Sequence, residues 1–338
     1  MSRTSRCLSL LLCGLLGAGA LSADASERNI RKAQRYFSPL PAAMPGAEND
    51  TSERIALGAM LFSDARLSSN DTQSCASCHH IGGSPGVDNL PTSLGAEGQP
   101  GVRNTPTVLN AGWQVSQFWD GRAKDLADQA GQPILNPIEM GMPSEEAVIE
   151  KLAALPGYPE AFARAFPEAE PALTYANLRE AIAAFERTLR SEARFDDFVR
   201  GDGSALSEQE QRGLDTFVGV NCVRCHDGPL VGGTLHERLG IEAPYHNQAD
   251  QGRYEVTGEE KDRMVFKVSQ LRNVAVTGPW FHDGTGTDLG EVVRIMARIQ
   301  LGTELKDQQV EDILAFLDAL TGKEFEANGH GDQRHPRP

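Results

Sequence analysis

The chain has 338 residues and a formal net charge of -15, with 47 acidic against 32 basic side chains. That balance excludes a nucleic-acid binder, whose surface must present an excess of lysine and arginine to phosphate. Only one short apolar run occurs, at the start, so no membrane span is expected, and the length fits two domains.

In chain order, the first segment carries Arg3 and Arg6, an apolar run from Leu8 to Leu21, and small residues that offer cleavage after Ala20, Ala23 or Ala25. This is the form of a secretory signal peptide, placed at 1–23, and it predicts a periplasmic mature protein. Leu12 before Cys13 is not the small residue that a lipid anchor requires. Once Cys7 and Cys13 leave with the leader, four cysteines remain. Asp50-Thr51-Ser52-Glu53 predicts a helix start, followed by Ile55, Leu57, Met60 and Leu61 at helical spacing. That helix leads into Cys75-Ala76-Ser77-Cys78-His79. Helices are predicted near 144–155, 158–166 and 174–190, the last with Leu178, Ile182, Phe185 and Leu189 on one face. The turn Gly201-Asp202-Gly203-Ser204 marks the best boundary, which divides the chain into 24–200 and 201–327. Ser207-Glu208-Gln209-Glu210 then repeats the helix start, with Leu214, Phe217 and Val218 leading into Cys222-Val223-Arg224-Cys225-His226. An amphipathic helix follows over Glu291–Ile299, and the polar tail 328–338 is expected to be disordered.

The duplicated Cys-Xaa-Xaa-Cys-His motif implies two covalently bound haems. Cys75 and Cys78, and likewise Cys222 and Cys225, would form thioethers to the vinyl groups of one haem, with His79 or His226 as proximal iron ligand. A zinc knuckle or a redox thiol pair would not require a histidine after the second cysteine in both copies. Other echoes point to duplication as well. Arg103-Asn104 is matched by Arg272-Asn273, and Phe118-Trp119-Asp120-Gly121 by Phe281-His282-Asp283-Gly284. Asp125-Leu126 and Asp288-Leu289 then follow at equal distance.

The halves diverge after that Asp-Leu pair. Met296 sits on the C-terminal helix, where a thioether ligand would close the second axial position and make an electron relay. Core packing is the alternative, since Val292, Ile295, Met296 and Ile299 form one stripe. Met264 is the other methionine of this half, in the extended-looking Val265-Phe266-Lys267-Val268 context. The N-terminal half instead has Gln129 and the loop Asn136-Pro137-Ile138-Glu139-Met140-Gly141-Met142. A carboxylate such as Glu139 near an open iron could move a proton during O–O cleavage, although most glutamates are solvated. Met140 or Met142 could equally ligate this iron.

These residues resemble the bacterial di-haem cytochrome c peroxidases, a family that includes MauG. The resemblance runs through Leu61-Phe62-Ser63-Asp64-Ala65-Arg66-Leu67-Ser68, Arg103-Asn104-Thr105-Pro106-Thr107-Val108-Leu109-Asn110, Gln117-Phe118-Trp119-Asp120-Gly121-Arg122, Ile138-Glu139-Met140 and Leu271-Arg272-Asn273-Val274. It implies an all-α fold of two packed cytochrome c-like domains, an N-terminal peroxidatic haem and a C-terminal electron-transfer haem. It further implies Glu139 as the acid-base residue assisted by Gln129, Trp119 between the haems, and Met296 as sixth ligand of the second haem. A calcium ion would be held by Asn104 and the carbonyls of Thr277 and Pro279. The implied reaction is reduction of hydrogen peroxide with electrons from a small periplasmic cytochrome c or cupredoxin. Oligomeric state stays open, a homodimer being one arrangement.

One departure stands out. Many members carry Gly-His-Gly after the first haem motif, and that histidine caps the resting iron. This chain reads Thr92-Ser93-Leu94-Gly95-Ala96-Glu97-Gly98, so the first haem is expected to be open at rest unless Glu97 or His80 substitutes. The rival readings are a MauG-like oxidation of a partner protein, where tyrosine replaces the axial methionine, and a non-enzymatic di-haem carrier. His236, His246 and His282 could contact haem propionates or solvent.

Overall fold

The computed structural model describes residues 26–326, which fold as a helix-rich chain with one two-stranded sheet among them. The expected signal peptide at 1–23 and tail at 328–338 lie outside the described residues. No helix among the described residues is long and apolar enough to cross a membrane.

Residues 26–36 form α1. α2 (Ser52–Ser63) starts as expected, with the Thr51 side chain accepting from the Arg54 N–H at 3.2 Å and so satisfying a free donor of the first turn. The first haem motif occupies a single turn, α3 (Cys75–Cys78). α4 (Leu126–Ala130) and α5 (Gln132–Leu135) follow, then α6 (Glu145–Ala154), α7 (Tyr158–Ala165) and α8 (Tyr175–Glu186). α8 ends before the predicted 190 because the Thr188 and Leu189 N–H groups donate to the Phe185 and Glu186 carbonyls, tightening the last turn. α9 (Arg194–Arg200) precedes α10 (Glu208–Gly219), whose predicted capping box forms. There the Ser207 N–H donates to the Glu210 carboxylate at 2.6 Å, and the Glu210 N–H donates to the Ser207 hydroxyl at 3.3 Å. β1 (His236–Arg238) pairs antiparallel with β2 (Val265–Lys267), in register His236 to Lys267, and α11 (Tyr254–Thr257) lies between them in sequence. α12 (Leu289–Leu301), α13 (Asp307–Asp318) and α14 (Lys323–Glu326) complete the described chain.

Two helix crossings built the same way organise two apolar cores. In the first, α2 lies so close to α8 that a Cβ on Gly58 would sit 1.9 Å from the Ala181 carbonyl oxygen and 2.8 Å from the Phe185 Cβ. In the second, α10 meets α13, and a Cβ on Gly213 would sit 1.8 Å from the Asp312 carbonyl oxygen and 2.8 Å from the Phe316 Cβ. Only glycine permits either approach, because the obstruction is backbone. Leu57, Leu61, Phe62, Phe162, Leu178 and Ile182 pack around the first crossing, and Phe195, Leu214, Phe217, Ile313 and Phe316 around the second. The second core also takes Ile30 and Ala33 of α1, together with Phe195, Phe198 and Val199 of α9, although both helices precede the Gly201–Ser204 turn. Arg272 and Asp196, both buried, bind α9 to this core through bonds of 2.7 and 2.8 Å.

The loops repeat too. Phe118 and Phe281 both have φ near +65°, and each begins a turn closed by an isolated bridge, Gln117 to Ala123 and Trp280 to Gly286. Asp125 and Asp288 are the N-caps of α4 and α12, accepting from Asp128 and Glu291, which explains the Asp-Leu pair in each half. One sequence echo is corrected. The partner of Asn273 is Asn110 rather than Asn104. Asn110 and Asn273 share φ of 63° and 62°, and each opens a short 3-10 turn. Their backbone N–H groups donate to Leu189 and Leu320, and their side-chain oxygens accept from Ser191 and Gly322. Asn104 instead donates its side chain to the Leu90 and Pro91 carbonyls, so its likeness to Asn273 ends at the dipeptide.

Candidate functional site

The first haem motif opens into a cavity walled by α3, the 93–108 loop, α4, α5, the 136–140 loop and α8. Cys75, Cys78 and His79 line it together with Gln129 and Glu139. Burial pushes both thiols above the ordinary cysteine range, so neither is an activated nucleophile, as befits attachment points. His79 Nδ1 sits 3.3 Å from the Gly86 carbonyl, and burial lowers the ring's pKa. A neutral imidazole that donates Nδ1–H there presents its Nε2 lone pair to a metal.

The second motif faces a second cavity, where His226 and Met296 share the wall. Burial drives His226 down to about 4, so it too is neutral, and the Val231 and Ser269 backbone flanks its ring. Gly232 has φ of +123°, and a Cβ there would lie 2.9 Å from His226 Nδ1, so a side chain would displace the ring. Met264, the alternative ligand, is buried elsewhere against Tyr245, Phe266 and Ile299. Cysteine pairs, neutral histidines and cavities lined mainly by apolar groups fit two covalently held haems.

Glu139 reaches the first cavity from a loop tied by its own side chains. Asn136 donates its amide to Glu139 Oε1 at 2.7 Å. Burial raises the Glu139 pKa, and the Asn136 hydrogen bond and the Arg122 charge oppose that rise. Met140 also lines this cavity, whereas Met142 packs in the apolar core. Ala96, on the 93–108 loop, ties that loop to the 136–140 loop, its N–H donating to the Glu139 carbonyl at 2.7 Å. His80 is exposed, with Nε2 3.2 Å from the Ser77 carbonyl, and Glu97 is exposed beside Asn70. Neither borders the cavity.

Trp119 lines both cavities. Its Nε1–H donates to the Asn104 carbonyl at 2.8 Å, and its ring meets His282 edge-on at 6.4 Å. Asn104, Thr277 and Pro279 are brought to the wall of the second cavity together. Because Asn104 spends its amide nitrogen on Leu90 and Pro91, its Oδ1 is the atom that would meet a cation. His282 is buried and stacked on Phe266 at 4.4 Å. His236 Nε2 lies 3.1 Å from the Ser116 hydroxyl, and His246 packs on Tyr245.

Two buried ionisable residues of the cavity walls escaped the sequence reading. Glu186, at the end of α8, is buried in the first cavity wall with Oε2 unpartnered, and burial pushes its pKa up to about 8. Its position four residues after Ile182, on the apolar stripe, was the available signal. Lys267 borders both cavities and is 6% exposed. A single lysine within the apolar run 265–268 was its signal.

Comparison with known proteins gives one consistent picture. Residues 52–204 match the family model described as di-haem cytochrome c peroxidase. The chain is 42% identical over 310 residues to cytochrome c551 peroxidase of Nitrosomonas europaea, covering 91% of this chain and 89% of that protein. It is 35% identical over 322 residues to the methylamine utilization protein MauG of Methylorubrum extorquens, covering 90% and 88%. Among solved structures, a MauG-like protein associated with microbial copper homeostasis superposes with a TM-score of 0.74 at 28% identity, covering 86% of this chain and 96% of that one.

Proposed function

Since this chain belongs to the di-haem cytochrome c peroxidase family, we propose that it reduces hydrogen peroxide to water in the periplasm with electrons from a small cytochrome c or cupredoxin. The observation that carries this reading is the asymmetry of the two cavities. One is lined by His79 together with Glu139 and Gln129, the other by His226 and Met296, and Trp119 lines both.

A haem held at each Cys-Xaa-Xaa-Cys-His motif would supply redox-active iron, through which the two electrons that peroxide cleavage consumes would pass from the donor. His79 and His226 would each hold the iron of one haem, and Met296 would be a further ligand to the C-terminal one. Glu139 takes a proton from one peroxide oxygen and returns it to the other, which departs as the first water; the remaining oxygen becomes the second water with two electrons from the donor protein and two protons from solvent. Asn136 keeps the carboxylate oriented for that transfer, and Gln129 helps to position the substrate. Trp119 shortens the path between the two redox centres. Asn104 and the carbonyls of Thr277 and Pro279 would hold a calcium ion. The peroxidatic domain comprises 24–200 and the electron-transfer domain 201–327, with α1 and α9 packing across that division. Met296 favours the peroxidase over the MauG-like reading, which would place tyrosine there.

The test is rapid mixing of the as-isolated ferric enzyme, with and without prior reduction, with peroxide and reduced cytochrome c. Peroxide-dependent oxidation of the donor without an activation lag is expected, because Ala96 cannot cap the iron. Absence of turnover with cytochrome c and cupredoxin donors, under both conditions, would refute the peroxidase assignment.

A further inference from the structure

Lys267 is a buried lysine whose amine makes no ion pair among the described residues, and burial lowers its pKa to about 7. Its backbone N–H donates to the Trp119 carbonyl, which fixes β2 against the wall between the cavities. Its ammonium group donates to Gln114 Oε1, leaving the other N–H donors of that group unspent. The carboxylate whose charge it feels, Asp120, is already held by Arg103 at 2.5 Å and Arg122 at 2.9 Å. His236, its cross-strand neighbour, brings no negative charge. Burying an amine with one acceptor is costly unless an anion enters the site. Lys267 is also the only cation among the described residues that border both cavities, and Gln114 borders both with it.

We propose that Lys267, steadied by Gln114, is a carboxylate anchor shared by the two haems, its ammonium group standing in the common wall to receive propionates from both sides. The proposal rests on the two-haem reading. Each haem brings acidic propionates that an apolar cavity cannot pair, and a charge-assisted bond to a buried ammonium satisfies both partners. A cation near each haem also favours the reduced iron, so the same residue would raise both reduction potentials and couple them.

The experiment compares holoprotein of wild type, K267M, K267R and Q114E by haem stoichiometry and by equilibrium redox titration of both haems. In K267M the reduced-to-oxidised ratio at fixed potential should fall about tenfold or more for each haem, as expected for loss of a nearby charge. K267R should restore it. Q114E gives the ammonium group an internal counter-ion and should lower both potentials even if K267M fails to accumulate. Unchanged potentials in K267M or Q114E, or movement of one haem only, would overturn the shared anchor. A wild-type protein carrying fewer than two haems would instead overturn the two-haem reading on which the anchor depends.

Discussion

Replacing Glu139 by glutamine removes a proton acceptor while conserving shape. The amide oxygen can still accept from Asn136, whose nitrogen lies 2.7 Å from Glu139 Oε1, so the 136–140 loop should keep its geometry. What is lost is the ability to take a proton from peroxide and return it. Positioned acid-base groups contribute roughly 100- to 10,000-fold, or about 3 to 5 kcal/mol of barrier, and kcat/KM for peroxide should fall by that factor. Covalent haem content should not change. The pH profile gives a second readout. Burial raises the Glu139 pKa against the opposing effects of Asn136 and Arg122, so the carboxylate form is lost as pH falls through a value above the usual glutamate range. The acid limb of kcat/KM should therefore lie above that range. N136A removes a bond that favours the charged form and should move this limb to still higher pH. Stopped-flow oxidation of reduced cytochrome c measures all three enzymes. E139Q activity within about threefold of wild type would refute the acid-base role, since that is far below the expected loss.

Three further outcomes test separate parts of the structure. A96H should install a ligand on the loop whose N–H meets the Glu139 carbonyl, giving a low-spin ferric N-terminal haem and an enzyme that needs prior reduction; an unchanged high-spin spectrum would argue against this loop as the capping position. M296L should lower the C-terminal haem potential and expose its sixth position, whereas M264L should leave that haem's spectrum intact because Met264 packs outside the cavity; the opposite pattern would reassign the ligand. G58A and G213A each place a Cβ within 2 Å of a backbone oxygen, at 1.9 and 1.8 Å, so each should cost about 1–3 kcal/mol or more by forcing its helices apart. Wild-type thermal unfolding in either variant would show that the crossing is looser than described.

The haem motifs were legible from sequence because their chemistry is local. Five consecutive residues would supply both thioether positions and the proximal ligand, and no distant contact is needed to recognise the pattern. The helix starts were legible for the same reason: Thr51, Ser207, Asp125 and Asp288 satisfy donors only a few residues away. The extended segment at Val265 was readable from its β-branched and aromatic run, and it became β2.

Other features depend on residues far apart in the chain, which local pattern does not relate. The match of Asn273 to Asn110 became visible through equivalent bonds to Leu189 and Leu320, after the Arg-Asn dipeptides had suggested Asn104. The packing of α1 and α9 into the second core crosses the turn that composition marks as a boundary, since apolar contact is indifferent to chain order. His80 and Glu97 lie near the first motif in sequence, yet both turn to solvent. The sequence by itself determined that there are two Cys-Xaa-Xaa-Cys-His motifs, and where they lie. Only the tertiary structure brought Glu139 beside the first motif and Met296 beside the second, and added Glu186 to one cavity wall and Lys267 to both. Covalent attachment needs neighbours in the chain, whereas an environment of low dielectric is made by segments that meet only when the cores close.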